Sequence, residues 1–261
     1  MPGLTTIDPY PDHHRPPQIA AEEWALRVRL AAAYRVVDML GWSEVIMNHI
    51  SVRVPGPETH FLINPYGLSY DEVTASNLLK IDMHGHKAAP SDYPFNPAGF
   101  VIHSAIHAAR DDAHAVMHTH TTAGTAVATK AHGLRHDSFY AAQLYGRVAY
   151  HDYEGLSIRM GEQERIVASL GDKPCLIMRN HGLLTVGRTV AEAFWQLWRL
   201  QRACEAQVMI DAMAGEDTAV SPDLARQNVA DADGYSAGAV EDKMLDALVR
   251  KAARRDPTYA T

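Results

Sequence analysis

The chain has 261 residues, 47% hydrophobic and 21% charged, with 24 Lys and Arg against 31 Asp and Glu for a net charge of -7. That length can bury a substantial core in one domain, and the acidic balance gives a nucleic-acid backbone no electrostatic hold. No run of about eighteen uncharged apolar residues is present to cross a bilayer, Cys175 and Cys204 are too few for a disulfide framework, and the start lacks a secretion-signal pattern, so cytoplasm is the expected location.

Residues 1–18 hold five prolines and no periodicity, which predicts an extended arm with His13 and His14 in solvent and a single domain over residues 19–261. From Glu22 the apolar residues Leu26, Leu30, Ala33, Val37 and Leu40 recur at helical spacing, and Gly41 is a stop signal. Ile46 to Val54 alternates as a strand, with His49, Ser51 and Arg53 on its polar face; that face either lines a cleft or is the exposed side of an ordinary strand. Phe61 to Ile63 is a short strand closed by a turn at Pro65-Tyr66-Gly67. Asp71 to Leu79 opens with helix-start residues, and His84-Gly85-His86 is a turn with no strand to fix its two imidazoles.

Pro97 begins a helix to about residue 110 that carries His103 and His107 four apart on one face, a pair suited to hydrogen bonding or an interface. The stretch from Ala113 reads as a strand through His120, stopping at Thr121, and Thr122 to Lys130 as a helix. Phe139 to Tyr153 is rich in tyrosine, where core or subunit contact competes with proton donation. Gly161 to Leu170 is a short helix, Cys175 to Arg179 a buried strand, and Leu183 to Gly187 the strand that follows it. Thr189 starts a long helix to about Met213. Residues 214–238 are polar and predict a flexible connection, before a last amphipathic helix over 239–253 with a basic tail. Elements that alternate in this way, without repeats, predict a layered α/β/α domain.

The chemistry concentrates at two strand ends. His118 and His120 lie two apart and project from one face of the strand, beside a helix N-terminus; His181 follows another strand, in Asn180-His181-Gly182. Three neutral imidazoles are a ligand set for a divalent metal with an open coordination position. Histidines satisfied by hydrogen bonds alone are the competing reading, and composition does not separate the two.

The chain resembles the class II aldolase and adducin family through Gly41-Trp42-Ser43, Asn48 to Arg53, Asn64-Pro65-Tyr66-Gly67-Leu68, Asp71 to Ser76, Asn96-Pro97-Ala98-Gly99-Phe100, His118-Thr119-His120 and Asn180 to Leu183. These pieces run in the family's order over roughly residues 20 to 212, closest to the adducin head domain. The resemblance implies a three-layer α/β/α fold with a central mixed, mainly antiparallel sheet. It also implies a divalent metal, zinc first with manganese or iron as alternatives, on His118, His120 and His181, and a homotetramer acting on a small molecule.

Two departures qualify the activity it implies. The catalytic glutamate of the family's sugar phosphate aldolases aligns with Gly99, which cannot move a proton. Their phosphate-binding serines, threonine and asparagine align with Pro97, Ala98, Tyr66 and His49. The expected substrate is therefore not phosphorylated: a hydroxy, oxo or aromatic acid bordered by His49, Tyr66, Gly67 and Gly99. Tyr140, ahead of Tyr153, is the candidate for the missing proton donor, reaching the site from a neighbouring chain. Three activities fit: a metal-dependent carbon-carbon lyase, a non-haem iron oxygenase acting on aryl pyruvates, and a non-catalytic adducin-like binding module.

Overall fold

A computed structural model describes residues 8–12, 14–56, 58–236 and 240–261; His13 and the first seven residues of the arm lie outside them. Among the described residues seven strands form one sheet: β1 (His49–Val54), β2 (His60–Ile63), β3 (Leu79–Asp82), β4 (Ala115–Thr119), β5 (Val148–His151), β6 (Cys175–Met178) and β7 (Gly182–Gly187). Their order is β3-β2-β1-β4-β7-β6-β5, and β5 with β6 is the parallel pair in an otherwise antiparallel sheet. The mixed, mainly antiparallel sheet is the expected one.

Successive strand residues face opposite sides, and the packing follows that alternation. Ile50, Val52, Met117, Ile177 and Leu183 point into the larger core. They meet α1 (Ala21–Met39), α6 (Val190–Ala212) and α8 (Val240–Ala253) there. Val116, Leu176, Leu184 and Val186 point the other way, against Ile102 and Ile106 of α2 (Pro97–Ala109) and Ile166 and Leu170 of α5 (Gln163–Leu170). Three layers result, and His118, two residues from Val116, falls on the α2 side.

Local chemistry explains the helix ends. Gly41 ends the first helix at φ +72°, a conformation that costs glycine little. Asn96 caps α2 by accepting from Ala98 N at 2.9 Å, with Pro97 at the first helical position.

Three expectations are corrected. The first strand begins at His49 rather than Ile46, because the chain reverses through Val45 at φ +49° and Asn48 Nδ2 donates to the Trp42 carbonyl at 2.9 Å. Leu79 already begins β3, and the segment from Asp71 holds only a 3-10 turn, Tyr70–Glu72. The Ser69/Glu72 capping box starts it, but the amides of Ala75 and Ser76 are taken by the carbonyls of Tyr259 and Thr261, at 2.8 and 3.0 Å, so the helix does not propagate. The predicted connection at 214–238 instead contains α7 (Pro222–Ser236); its residues 237 and 238 lie outside the described ones. Ser221 caps α7 through Leu224 N at 3.2 Å, and Ser-Pro is a helix-start signal that outweighs the polar composition. Among the described residues no helix is long and apolar enough to cross a membrane.

Candidate metal centre

β4 lies between β1 and β7 and is buried along its whole length. His118 is its penultimate residue. The chain then passes through His120 to Thr121, whose Oγ1 accepts from Gly124 N at 3.1 Å and so opens α3 (Thr122–Thr129). His181 comes from the β6–β7 connection, where Asn180 adopts φ +57°, a left-handed conformation that asparagine tolerates better than most side chains. Gly182 allows the two strand ends to close on each other: a Cβ there would stand 2.4 Å from the Thr119 carbonyl oxygen and 3.0 Å from the His120 ring. Thr125 Oγ1 donates to the His181 carbonyl at 3.0 Å and ties the connection to α3.

The three imidazoles converge through the same atom. Nε2 of His118 is 2.8 Å from Nε2 of His120 and 3.3 Å from Nε2 of His181, and the latter two are 2.9 Å apart. The other nitrogen of His118, Nδ1, lies 2.9 Å from the Leu183 carbonyl. A carbonyl only accepts, so Nδ1 carries the proton and Nε2 turns a lone pair toward its two neighbours. Burial holds His118 well below the ordinary histidine range, and the neighbouring His120 and His181 add to the effect. Burial likewise lowers His120 and brings His181 down to about 4, with His120 the next cause.

Neutral imidazole is the ligating form. Nitrogens about 2.0–2.1 Å from a tetrahedral zinc ion stand roughly 3.3 Å from one another, so the observed spacing fits a shared divalent cation after a small outward adjustment. Three nitrogens so close cannot all be satisfied by donating to one another. A cation is the partner that all three lone pairs can share, and these residues could hold one.

His49 belongs to the same cluster. It pairs with His118 across β1 and β4, and the two rings stack with centroids 4.9 Å apart. Gly99 in α2 lies directly against it: a Cβ on Gly99 would be 2.9 Å from Cγ and Cδ2 of His49. The polar face of β1 is therefore not an exposed strand face: Ser51 is buried beneath α2, Arg53 is half-buried, and the His49 ring lies between Gly99 and His118. Arg53, on the same face, donates to the carbonyls of His107 and Arg110.

The remaining candidates lie apart. Tyr66 is half-buried, with its amide donating to the Pro94 carbonyl at 2.8 Å, and Gly67 is an exposed turn residue at φ +107°. Tyr140 sits in α4 (Phe139–Ala142) with its ring 5.0 Å from that of Phe139, while Tyr153 is 57% exposed. Among the described residues no hydrogen bond or ring contact joins any of these four to the three histidines. His84 and His86 remain in their turn, where Asp82 accepts from both backbone amides.

Sequence reasoning missed Glu162, a buried carboxylate whose charge acts on His181. Ser157 Oγ donates to it at 2.8 Å and His151 Nε2 lies 3.4 Å away. Nothing in its local pattern distinguishes it from an ordinary helix-start glutamate.

Comparison with known proteins identifies the family. The profile of the family described as "Class II Aldolase and Adducin N-terminal domain" matches residues 28–208. A crystal structure of an aldolase II superfamily protein from Pseudomonas syringae is 44% identical, covers 93% of this chain and 98% of its own, and superposes with a TM-score of 0.87. L-fuculose 1-phosphate aldolase from Glaciozyma antarctica PI12 is 30% identical over 93% of this chain and 96% of its own, with a TM-score of 0.80. Alpha-adducin of Rattus norvegicus is 48% identical over 196 residues, which is 74% of this chain and 26% of the adducin. The chain belongs to the class II aldolase and adducin family.

Proposed function

We propose that this protein is a metal-dependent lyase that breaks a carbon-carbon bond, by aldol cleavage or decarboxylation, in a small non-phosphorylated hydroxy, oxo or aromatic acid. The observation that carries the reading is the convergence of the three Nε2 atoms of His118, His120 and His181 within 3.3 Å of one another. Bound there, a divalent ion, zinc ahead of manganese or iron, supplies Lewis-acid stabilisation of negative charge developing on a substrate oxygen, worth several kcal/mol.

The chain's own residues supply the rest. His118 is held in its ligating tautomer by Leu183, and the Gly182 contact fixes where His120 and His181 meet. Position 99, where the resemblance expects a catalytic glutamate, has no side chain, and His49 fills the space beside it. The substitutions at 97, 98, 66 and 49 remove most donors a phosphate would need, which supports an unphosphorylated substrate in place of the one the resemblance implies for the family's sugar phosphate aldolases.

Tyr153, Leu156, Ile158 and Met160 form an exposed apolar stretch, between 53% and 74% exposed, which suits burial against another copy of the chain in a homotetramer. Tyr140 and Tyr153 are the groups that such an assembly would bring to a neighbour's site as proton donors.

A non-catalytic, adducin-like binding role is the second reading. The glycine at position 99 and the 48% identity to alpha-adducin favour it.

The experiment is a screen of zinc- and manganese-loaded protein against unphosphorylated hydroxy acids, oxo acids and aromatic acids, with L-fuculose 1-phosphate alongside. Cleavage of an unphosphorylated compound that stops on chelation and returns with metal supports the lyase. Cleavage of the sugar phosphate alone would overturn the substrate class, and a metal-loaded protein inert toward every compound would favour the binding module.

A further inference from the structure

Behind the three histidines runs a second, separate line of buried imidazoles. His107 Nδ1 lies 3.0 Å from the Ala113 carbonyl, His107 Nε2 lies 2.7 Å from Ser51 Oγ, Ser51 Oγ lies 2.5 Å from His103 Nδ1, and His103 Nε2 lies 2.8 Å from His49 Nδ1. His103, His107 and Ser51 are each no more than 1% exposed. Among the described residues no carboxylate contacts His103 or His107, and burial pushes both well down, His107 to about 3. Both rings are therefore neutral, each with one N–H and one lone pair.

One backbone carbonyl then fixes the direction of the whole line. Ala113 can only accept, so His107 donates from Nδ1 and its Nε2 must accept. Ser51 Oγ fills that role by donating to it, and so must itself accept, which puts the His103 proton on Nδ1. His103 Nε2 is left as an acceptor, which makes His49 donate from Nδ1. The last atom of the line is His49 Nε2. It has no protein partner among the described residues, yet it is not one of the sealed polar atoms, and its ring lies flat against the His118 ring.

We infer that the Ala113-His107-Ser51-His103 line locks His49 as a hydrogen-bond acceptor facing the candidate metal centre, so that at this point the site selects a ligand hydroxyl over a phosphate. An asparagine, the side chain the resemblance expects at position 49, offers an amide N–H to a phosphate. A buried neutral imidazole locked in this tautomer offers only a lone pair, which repels an anionic oxygen and pairs with an O–H. This deepens the proposed function and rests on it for the identity of the neighbouring centre. The polarity of the line does not depend on any metal.

Two measurements test it. Long-range 15N–1H correlation spectra of the histidine side chains should show His49, His103 and His107 all as Nδ1–H tautomers; an Nε2–H proton on His49 would overturn the inference with or without metal. Zinc-loaded protein is then titrated with three hydroxamates that share one chelating head: glycolohydroxamate, acetohydroxamate and phosphoglycolohydroxamate. The hydroxyl-bearing probe should bind about tenfold more tightly than the methyl one, and more tightly than the phosphate ester. His49→Phe should erase the gap between hydroxyl and methyl, and His49→Gln, which restores a donor in similar volume, should improve binding of the phosphate ester. Failure of the protein to take up zinc would sink the underlying metal reading, which the tautomer spectra do not touch. Zinc uptake with probes that bind equally, or do not bind, or with the phosphate ester preferred, would overturn this inference alone.

Discussion

The absent side chain of Gly99 and the ring of His49 occupy one space: a Cβ at position 99 would lie 2.9 Å from Cγ and Cδ2 of the imidazole. Contacts below 3.0 Å force something to move, and here both neighbours sit on fixed elements, α2 and β1. Restoring a glutamate by Gly99→Glu should therefore cost on the order of 2 kcal/mol or more from overpacking and carboxylate burial, and should not confer sugar phosphate cleavage. Adding His49→Asn should recover part of that loss, a non-additive pair measurable by urea unfolding of the single and double variants. Strictly additive losses would mean that the two residues do not share the space.

Ser51 holds two imidazoles at once, so Ser51→Ala leaves His103 Nδ1 and His107 Nε2 facing each other across an empty place. Each orphaned buried group costs about 1–3 kcal/mol. Unfolding free energies should fall by at least about 2 kcal/mol; a change below roughly 0.5 kcal/mol, the range of an ordinary surface substitution, would show that the line is not formed.

Acid should begin to weaken the fold above the pH range in which ordinary carboxylates take up protons. His107 is held at about 3 and His103 well below the ordinary range, both by burial, whereas unfolded histidine titrates near 6.5. Between about 6.5 and 3 the unfolded chain binds more protons than the folded one, so stability is fully present above about pH 6.5 and is lost as pH falls through that window. Each such histidine contributes a slope on the order of 1 kcal/mol per pH unit. Urea midpoints measured in chelator should drop between pH 7 and pH 5; midpoints unchanged over that interval would contradict it.

How much of this was legible in the chain follows from where each signal is local. The His-x-His at a strand end and the Asn-His-Gly after another carry their geometry in the backbone, so the ligand candidates could be named from spacing and resemblance. The capping Asn96-Pro97 and the helical periodicities were equally local. What could not be read depends on partners distant in sequence. Ser51 and His103 are 52 residues apart, and their bond exists only because α2 covers the polar face of β1. The amides of Ala75 and Ser76 are claimed by the last residues of the chain, which no window around Asp71 reveals. Glu162 meets His151 at 3.4 Å, a contact between the start of α5 and β5 that no local pattern announces. The burial of His49 was misjudged for the same reason, since alternation tells which face a residue is on but not what lies above it.

Gly182 makes the closure of the two strand ends testable apart from the ligands. Gly182→Ala places a Cβ 2.4 Å from the Thr119 carbonyl, backbone that cannot swing aside. Zinc affinity should fall at least about tenfold, within the range seen when the groups that orient ligands are disturbed, with the circular dichroism of the sheet unchanged. Undiminished affinity by competition with a fluorescent chelator would show that the loop adjusts freely.

The central claim is that His118, His120 and His181 grip one divalent cation. The direct measurement is the metal content of untagged protein, purified without chelator and analysed by plasma mass spectrometry, beside its His120→Ala variant. About one divalent ion per chain is expected in the parent and little in the variant. Equal content in the two proteins, or a parent that takes up no ion when offered zinc, manganese or iron, would contradict it.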